Sequence, residues 1–427
     1  MTMNLMGIVH EEFSCYRDGL KIRGSMFRPK GNGPFPTIVI SHELLMNRLT
    51  TLRYAIGFAR MGYAAFCFDF NGGGPISQSE GKTTDMTVLT EAADIKAVID
   101  YAGKQPCTDM DRFHLMGCSL GGFASALVAA ELGADFVKKL ILFYPALSVP
   151  DDSRSGEALF ARFDPNNIPE RFFCGPIILG RQYMVDVRDM EPFSIISRYH
   201  GPVLICFGTK DHLVDYSYGV RAYEAYKTAD EAALATGEID EMPLVWLDTI
   251  QNGEHLFPFP PHKSDALNTV KEFMAGRKEV MRVDVALTTM TFKLKGALLD
   301  WDIPFGGKAI GDFFNGTVRA GAHDQRYYGI GTSDVTADYY IDGKDCAGED
   351  ATVHVVNKGA SRKARAAAAK AFNANALPKT ASPWKPVVST TSKALDFMNH
   401  TEAFARLRQR GLKGPLVRIF MDYNATK

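Results

Sequence analysis

A glycine-flanked serine at the end of an apolar run constrains the fold of this chain more than any other feature of its sequence. Residues 113–116 read as a short buried strand, which leads into Gly117-Cys-Ser-Leu-Gly121 and then into a helix of small residues. The bare G-x-S-x-G pattern occurs in many unrelated turns, but between a strand and a helix it is typical of a sharp turn with strained backbone. Such a turn lifts the Ser119 side chain clear of the sheet, and the Leu120 amide at the helix N-terminus points toward developing negative charge. Ser119 is therefore the candidate nucleophile and Leu120 one candidate oxyanion donor.

The length and composition predict a soluble protein of two domains. A chain of 427 residues with 46% hydrophobic side chains exceeds one ordinary domain, and we divide it into domains 1–277 and 278–427. The formal net charge of −1 creates no long-range basic field, so neither nucleic acid nor a membrane is predicted as a partner. No signal-like segment opens the chain and no run is long enough to span a bilayer, so we expect a cytoplasmic protein. The seven cysteines form no C-x-x-C pairs, which predicts neither a disulfide framework nor a zinc site.

The pattern between residues 13 and 276 predicts an open, mainly parallel α/β sheet. Short apolar runs alternate there with stretches of helical periodicity, as in repeated βαβ units. Nearly continuous apolar runs indicate strands buried on both faces, at 37–41, 64–69, 113–116, 139–144, 203–207 and 244–247. Helices are predicted at 52–61, 88–101, 121–132, 216–226 and 264–274.

Two regions depart from this alternation. Residues 148–200 form a long insertion with prolines and aromatic residues where one helix would suffice, so we expect a cap over a site. Beyond residue 276 the chain becomes rich in Gly, Thr and Tyr, which predicts a smaller, mostly β, barrel-like domain. Its antiparallel strands are predicted at 283–293, 315–320, 335–342 and 351–356. For the basic stretch 360–370, a solvated helix or mobile loop is favoured over a nucleic-acid patch.

A serine nucleophile needs a histidine base and an orienting carboxylate, which in folds of this kind follow in the order Ser, Asp or Glu, His. Asp211 directly follows the predicted strand 203–207, at the carboxyl end of a strand, where the functional groups of α/β sheets collect. Asp211 is therefore the candidate acid, although it could instead cap the following helix. Asp215 is the second choice and Asp248 the third.

His255 is the candidate base. It lies after the last predicted strand and before the last helix, on a loop expected at the same sheet edge as the nucleophile and the acid. The intervals leave room for the insertion between nucleophile and acid, and for a helix and a strand between acid and base. Of the other histidines, His212 adjoins the acid, His262 opens a helix and His114 lies inside a strand.

The second oxyanion donor is expected in the loop after the first core strand, where the amide of Leu44 is the candidate. Glu43 beside it is awkward, because a carboxylate near a developing oxyanion opposes it unless it is turned away. We interpret Glu43 as a surface charge of this loop. Glycines 72–74 follow a strand, but the G-x-G-x-x-G spacing of a dinucleotide site is absent, so a flexible loop near the site is predicted.

These features together resemble the α/β-hydrolase fold and, within it, the cinnamoyl and feruloyl esterase-like hydrolases. The resemblance covers about the first two-thirds of the chain. It rests on Ile40-Ser-His-Glu-Leu44, Phe68-Asp-Phe-Asn-Gly72, Met86-Thr-Val-Leu89, Gly117 to Gly122, Phe207-Gly-Thr-Lys-Asp211 and Gly253-Glu-His255. Members of this family usually have a glycine at the position of Glu43 and a histidine at the position of Cys118, so the chain departs from the pattern at both places.

The resemblance also implies contacts to the substrate. In that family the cap holds the phenolic end of hydroxycinnamates with a carboxylate and a tyrosine. The segments Gly156-Glu157-Ala-Leu159 and Leu179-Gly-Arg-Gln-Tyr183 look similar, which implies Glu157 and Tyr183 as substrate contacts. The alternatives are a solvated acid and an aromatic residue of the core.

The second domain weakly resembles an uncharacterised family of small β-barrels. The matching segments are Gly316 to Asp324, Ala337 to Ile341 and Val353 to Gly359. That family implies no reaction. Because a barrel interior can hold a small ligand, we expect this domain to bind substrate, to shape the entrance of the site or to form a homodimer interface.

The sequence therefore predicts a serine esterase that cleaves esters of small aromatic acids through an acyl-enzyme, with a small-molecule ester as its partner and with no cofactor or metal. Lactone, carbon–carbon bond or peptide hydrolysis could use the same residues on the same fold. A protein of a different class also stays open, namely a binding protein in which Glu43 has disabled the oxyanion hole.

Overall fold

The computed structural model describes residues 3–5, 7–288, 291–295, 298–329, 332–358, 385–408 and 414–426. The chain divides into two compact units, Met1–Lys271 and Glu272–Lys427, and the predicted division after residue 277 lies slightly further along. The first unit contains a mixed sheet with helices, and the second an antiparallel sheet. The predicted class, an α/β-hydrolase fold followed by a smaller mostly-β domain, is confirmed. Within the described residues, no helix combines the length and the apolar character needed to cross a bilayer.

The first unit is organised around a nine-stranded sheet. The strands of this unit, β1 to β13 in chain order, are Met3–Leu5, Ile8–Arg17, Leu20–Pro29, Phe35–Ser41, Ala64–Asp69, Thr108–Cys118, Val137–Phe143, Glu157–Ala158, Ala161–Arg162, Arg171–Cys174, Ile177–Gly180, Val203–Gly208 and Val245–Ile250. The sheet order is β1-β2-β3-β5-β4-β6-β7-β12-β13. From β5 to β13 along this order all pairs are parallel, whereas β1, β2 and β3 form an antiparallel edge. Each of the six predicted strands overlaps one of the parallel strands.

Helices flank the parallel strands. The helices α1 to α8 are Arg48–Arg60, Val88–Gly103, Leu120–Leu132, Val149–Ser155, Gln182–Arg188, Pro192–Ile196, Tyr216–Thr236 and Pro260–Met274. Local sequence explains where several of them begin: the Asn47 side chain accepts from an amide of α1, and Thr87 and Thr90 form a capping box on α2. Helix α7 extends beyond its predicted end because the helical sequence continues to Gly237, whose left-handed conformation ends it.

The insertion, residues 148–200, is made of short elements between β7 and β12. It contains α4, the hairpins β8–β9 and β10–β11, and then α5 and α6. No strand of the insertion pairs with the main sheet. Its position after β7 puts α4 next to the carboxyl ends of the parallel strands, where Ser119 also lies.

The second unit is an antiparallel sheet around one apolar core. Its strands β14 to β23 and its helix α9 are Arg277–Leu287, Thr291–Lys295, Leu298–Ile310, Phe314–Val318, Ala322–Gly329, Thr332–Asp345, Asp350–Lys358, Val387–Thr390, Phe404–Arg408, Leu416–Asp422 and Phe397–His400. The order is β21-β20-β19-β17-β16-β14-β23-β22, with β15 and β18 also paired to β16. Val283, Ile341, Val353 and Ile419, from four different strands, belong to a single buried cluster, so these strands share one core.

Three of the four strands predicted for this unit overlap β17, β19 and β20. The fourth, 283–293, is divided in the structure between β14 and β15. Both pair with the long strand β16, with Leu287 opposite Phe305 and Thr291 opposite Asp302. The basic stretch 360–370 lies outside the described residues, and the resemblance of this domain to a small β-barrel family stays a prediction.

Candidate active site

Ser119 lies in a strained turn between β6 and α3. Its backbone has φ +52° and ψ −119°, outside the regions that non-glycine residues favour, and its amide donates to the Phe143 carbonyl at 2.9 Å. The flanking glycines are required sterically. A Cβ on Gly117 would lie 2.2 Å from the carbonyl oxygen of Gly121, and one on Gly121 would lie 2.3 Å from that of His42. Ser119 therefore has the geometry of a nucleophile elbow.

Ser119, His255 and Asp211 form a hydrogen-bonded chain. His255 Nε2 lies 3.0 Å from Ser119 Oγ, and His255 Nδ1 lies 2.7 Å from Asp211 Oδ2. Asp211 Oδ1 accepts from the amides of Leu213 and Val214, each at 3.0 Å, and the side chains of Asp211 and His255 are buried. A carboxylate can only accept, so Asp211 favours the tautomer with its proton on Nδ1, and Nε2 is left to accept from the serine hydroxyl.

The alternative acids and bases lie elsewhere in the fold. The side chain of Asp215 caps the start of α7, and Asp248 accepts from Thr269 Oγ1 at 2.6 Å. His114 is buried in β6, where burial and nearby cations lower its pKa to about 3. His262 belongs to α8. Of the three candidate aspartates, Asp211 is the one that contacts the candidate base in the described part of the chain.

Glu43 is buried beside the nucleophile, so its interpretation as a surface charge is wrong. Only 4% of the residue is exposed, and its carboxylate accepts from Tyr144 Oη at 3.1 Å and from Thr50 Oγ1 at 2.7 Å. These two hydroxyls supply the partners that a buried charge requires. Sequence reasoning missed the burial because Tyr144 lies 101 residues further along the chain. Buried His42 fixes the same loop, because its Nδ1 lies 2.7 Å from the Glu43 carbonyl oxygen and its Nε2 accepts from the Phe70 amide.

The residues that carry the candidate oxyanion donors, Leu44 and Leu120, line the same cavity as Ser119 and His255. Leu120 is the first residue of α3, where a helical amide has no carbonyl partner one turn earlier. Among the described residues, no protein acceptor takes the amide of Leu44. Both N–H groups can therefore donate to a bound ligand.

A cavity of about 190 Å³ opens over Ser119 and His255, and most of its walls are apolar. Tyr183 lines this cavity and is buried, and burial raises the pKa of its phenol well above the usual range, so it stays neutral. Glu157 does not line the cavity. It forms an ion pair with Arg162 across the β8–β9 hairpin, so the structure brings only Tyr183 of the two implied substrate contacts to the cavity.

Asp152 and Ser148, which the sequence did not select, also line the cavity. The Ser148 hydroxyl donates to Asp152 Oδ2 at 3.0 Å, and burial raises the pKa of Asp152 to about 6. The sequence places both residues only within the predicted insertion 148–200. One signal was present: α4 directly follows β7, so its residues had to lie near the sheet edge that carries the nucleophile.

The Phe68-Asp-Phe-Asn-Gly72 segment, one of those that carry the family resemblance, forms hydrogen bonds that hold neighbouring loops in place. Asp69 Oδ2 accepts from Arg48 at 2.6 Å, and the Asn71 side-chain amide donates to the Glu80 carbonyl at 3.0 Å. The amide of Gly72 donates to the same Glu80 carbonyl oxygen at 3.0 Å. The glycines 72–74 thus belong to a loop closed by hydrogen bonds.

Sequence comparisons give matches to parts of the chain. A model of the X-Pro dipeptidyl-peptidase family (S15) matches residues 18–162. An uncharacterised 31.7 kDa protein of Escherichia coli, from the traX-finO intergenic region, is 36% identical over 95 residues, which are 22% of this chain and 32% of that protein. This chain thus spans about a third of the length of that relative. The uncharacterised protein YqkD of Bacillus subtilis (strain 168) is 24% identical over 244 residues, which are 56% of this chain and 70% of YqkD.

Similarity to two solved structures covers 62% of this chain. Est1E from Butyrivibrio proteoclasticus, solved with ferulic acid bound, is 27% identical with a TM-score of 0.53, over 62% of this chain and 98% of that chain. A second structure of Est1E is 25% identical with a TM-score of 0.52, over 62% and 97%. The match to the S15 family model and the similarity to Est1E agree with the α/β-hydrolase fold.

Proposed function

We propose that the chain is a serine esterase that cleaves carboxylic esters of small aromatic acids through an acyl-enzyme. The observation that carries this proposal is the hydrogen-bonded chain from Ser119 through His255 to Asp211 beside the cavity. In the first step Ser119 Oγ attacks the ester carbonyl while His255 takes its proton, and Asp211 stabilises the imidazolium that forms. The amides of Leu44 and Leu120 hold the oxyanion.

The acyl-enzyme then forms and is hydrolysed. When the tetrahedral intermediate collapses, the alcohol leaves with the proton held by His255, and the acyl group stays on Ser119. A water molecule that gives its proton to His255 attacks the acyl carbonyl, and a second collapse releases the acid and restores the serine hydroxyl. These steps require the side chains already named and no cofactor.

The acyl group proposed for this site is small, aromatic and hydroxylated. A cavity of about 190 Å³ lies below the about 300–1,000 Å³ typical of pockets for drug-sized ligands, which favours a small acid. Asp152 can accept a hydrogen bond from a phenolic hydroxyl and neutral Tyr183 can donate one, and both line the apolar cavity. We therefore assign the acidic contact to Asp152 in place of Glu157. The similarity to a protein solved with ferulic acid supports this choice.

The test combines fluorophosphonate labelling with a panel of esters on the full chain. We expect an adduct on Ser119 and hydrolysis of 4-hydroxycinnamate esters. Ser119→Ala is expected to abolish the adduct and to lower kcat by at least about 10³-fold. Ser125→Ala is the matched control, because it removes another buried hydroxyl from α3 without touching His255. No adduct and no hydrolysis in the wild type would favour a binding protein with a disabled oxyanion hole.

The match to the S15 family model favours one second candidate, a peptidase. The same three residues could cleave a peptide bond, because acyl transfer to serine is common to ester and amide hydrolysis. Xaa-Pro p-nitroanilides in the same panel separate the two activities. A kcat/KM for these amides above that for every aryl and hydroxycinnamoyl ester would replace the esterase proposal with the peptidase.

A further inference from the structure

Tyr144 touches the candidate base but lies outside the cavity. It directly follows β7, and its ring centroid lies 4.6 Å from that of His255, with 53° between the ring planes. The residue is 1% exposed and does not line the cavity over Ser119, so a substrate held there would not touch it. Tyr144 therefore packs against the imidazole as part of the protein interior.

The backbone of Tyr144 has an unfavourable conformation. Its φ is +38°, which is unusual for a bulky residue, and its amide donates to the Cys206 carbonyl at 2.8 Å. Phe257 packs on the same ring edge to face, with centroids 5.0 Å apart. A strained conformation beside reacting groups persists only where surrounding contacts over-determine it, and it is a reason to look for a functional role.

The hydroxyl of Tyr144 connects this ring to the loop that carries the Leu44 amide. Tyr144 Oη donates to Glu43 Oε1, while Thr50 Oγ1 donates to Glu43 Oε2. Both carboxylate oxygens thus have hydroxyl partners, and the buried charge of Glu43 is tied to neutral donors. A single hydrogen bond joins the loop of the candidate oxyanion hole to the ring that packs on the base.

We propose that Tyr144 is a positioning residue for the His255 imidazole and that Glu43 holds Tyr144 in place. Hydrogen bonds to Asp211 and Ser119 act at the two ring nitrogens, whereas the packing contact with Tyr144 restrains the ring as a whole. Small displacements of a catalytic group lower the reaction rate because productive geometry becomes less populated. This inference rests on the proposed function.

Two variants that each remove one hydroxyl from Glu43 test the proposal. Tyr144→Phe keeps the ring and loses the bond to Glu43, and we expect kcat to fall about tenfold with KM within about twofold of wild type. The rate of fluorophosphonate labelling should fall in parallel. Thr50→Val also removes a donor from Glu43 but has no contact with His255, and it should keep kcat within about twofold of wild type. An unchanged kcat in Tyr144→Phe, or an equal loss in Thr50→Val, overturns the proposal.

Two further measurements keep the inference separate from the proposed function. Glu43→Gln keeps an acceptor for the Tyr144 hydroxyl and is expected to retain a higher kcat than Glu43→Ala; equal losses contradict the role of that bond. The downfield proton resonance of His255 Nδ1 needs no turnover. We expect it in the wild type and in Thr50→Val, and shifted or broadened in Tyr144→Phe. If the wild type hydrolyses no ester, the esterase proposal is wrong. If the His255 resonance is identical in all three proteins, the positioning role of Tyr144 is wrong.

Discussion

The two sides of the cavity are built from different kinds of structure. The first, which we call the sheet side, consists of Ser119, Asp211, His255 and the loop 43–46, which follow strands of the parallel sheet. Two of its parts are strained or tightly bonded: Ser119 has a positive φ, and Asp211 accepts three hydrogen bonds. Groups at the carboxyl ends of adjacent parallel strands lie at the same edge of the sheet, so the spacing of the strands sets the distances between these groups.

The second, which we call the insertion side, consists of the lining residues from 148–200. It presents Asp152 and Tyr183 to the cavity from short helices, and Leu159 and Phe160 from a hairpin turn. Leu159 and Phe160 are 45% and 69% exposed, unlike the buried groups of the sheet side. We therefore propose that the sheet side determines the reaction and that the insertion side determines which substrate is accepted. Substitutions on the sheet side should therefore lower kcat for every ester, whereas those on the insertion side should change the ratio between esters.

The largest effect is expected from the acid of the sheet side. Asp211→Asn keeps the shape but favours the wrong histidine tautomer, so kcat should fall about 10⁴-fold for every ester in the panel. Asp215→Asn is the matched control, because asparagine also caps a helix, and it should change kcat by less than about twofold. Steady-state kinetics on three unrelated esters measures both. A loss confined to hydroxycinnamates would contradict the division between the two sides.

The second largest effect is expected on the selectivity for the acyl group of the ester. Asp152→Asn or Tyr183→Phe should lower the ratio of kcat/KM for 4-hydroxycinnamate over cinnamate esters about tenfold, because a hydrogen bond to the phenolic hydroxyl is lost or weakened. Glu157→Gln, which changes an acid of the same insertion outside the cavity, should leave the ratio unchanged. An equal loss of kcat/KM for both esters would show that Asp152 and Tyr183 have only a structural role.

The two sides also differ in how far the sequence predicts them. Ser119, Asp211 and His255 each follow an apolar strand or precede a helix, and the alternation of strands and helices puts such positions at one edge of the sheet. The antiparallel edge strands β2 and β3 were not predicted, because they are only partly buried and lack a continuous apolar run.

The insertion side was predicted less well for a physical reason. Its elements are too short for periodicity to show which residues point inward, so Glu157 was implied by the family resemblance alone, whereas Asp152 lines the cavity. Glu43 shows the same limit on the sheet side. Its burial depends on Tyr144, a partner distant in the chain, and a single charged residue in a loop carries no local sign of such a partner.

The pKa of Asp152 gives a smaller, pH-dependent effect on the insertion side. Burial raises this pKa to about 6, so the side chain is mostly ionised at pH 8 and mostly protonated at pH 5. The ionised form accepts the stronger hydrogen bond from a phenol, so the 4-hydroxycinnamate preference should fall about threefold as the pH drops through 6. The ratio of kcat/KM for the two esters cancels any titration that affects both. A preference that is constant from pH 5 to 8 would contradict this role of Asp152.

The smallest effect on kcat/KM is expected from a substitution in the turn between β8 and β9. Ala158 pairs with Ala161, so Leu159 and Phe160 form a two-residue turn, a place where Asn-Gly is typical, and Leu159 has φ +49°. Phe160 lies over Gly175, where an added Cβ would be 3.2 Å from its ring. Two exposed apolar side chains in a strained turn at the cavity are unfavourable in water, and a bound apolar group would cover them.

Because the acyl group is assigned to the buried end near Asp152 and Tyr183, the exposed turn is expected to contact the alcohol part of the ester. Phe160→Ala should lower kcat/KM about twofold for esters of bulky aryl alcohols and leave methyl esters of the same acid unchanged, because little apolar area is buried on one exposed ring. Phe173→Ala is the control, since this ring is 73% exposed but does not line the cavity. If the two variants behave alike with every alcohol, then the insertion side contacts only the acyl group, and the sheet side alone surrounds the leaving alcohol.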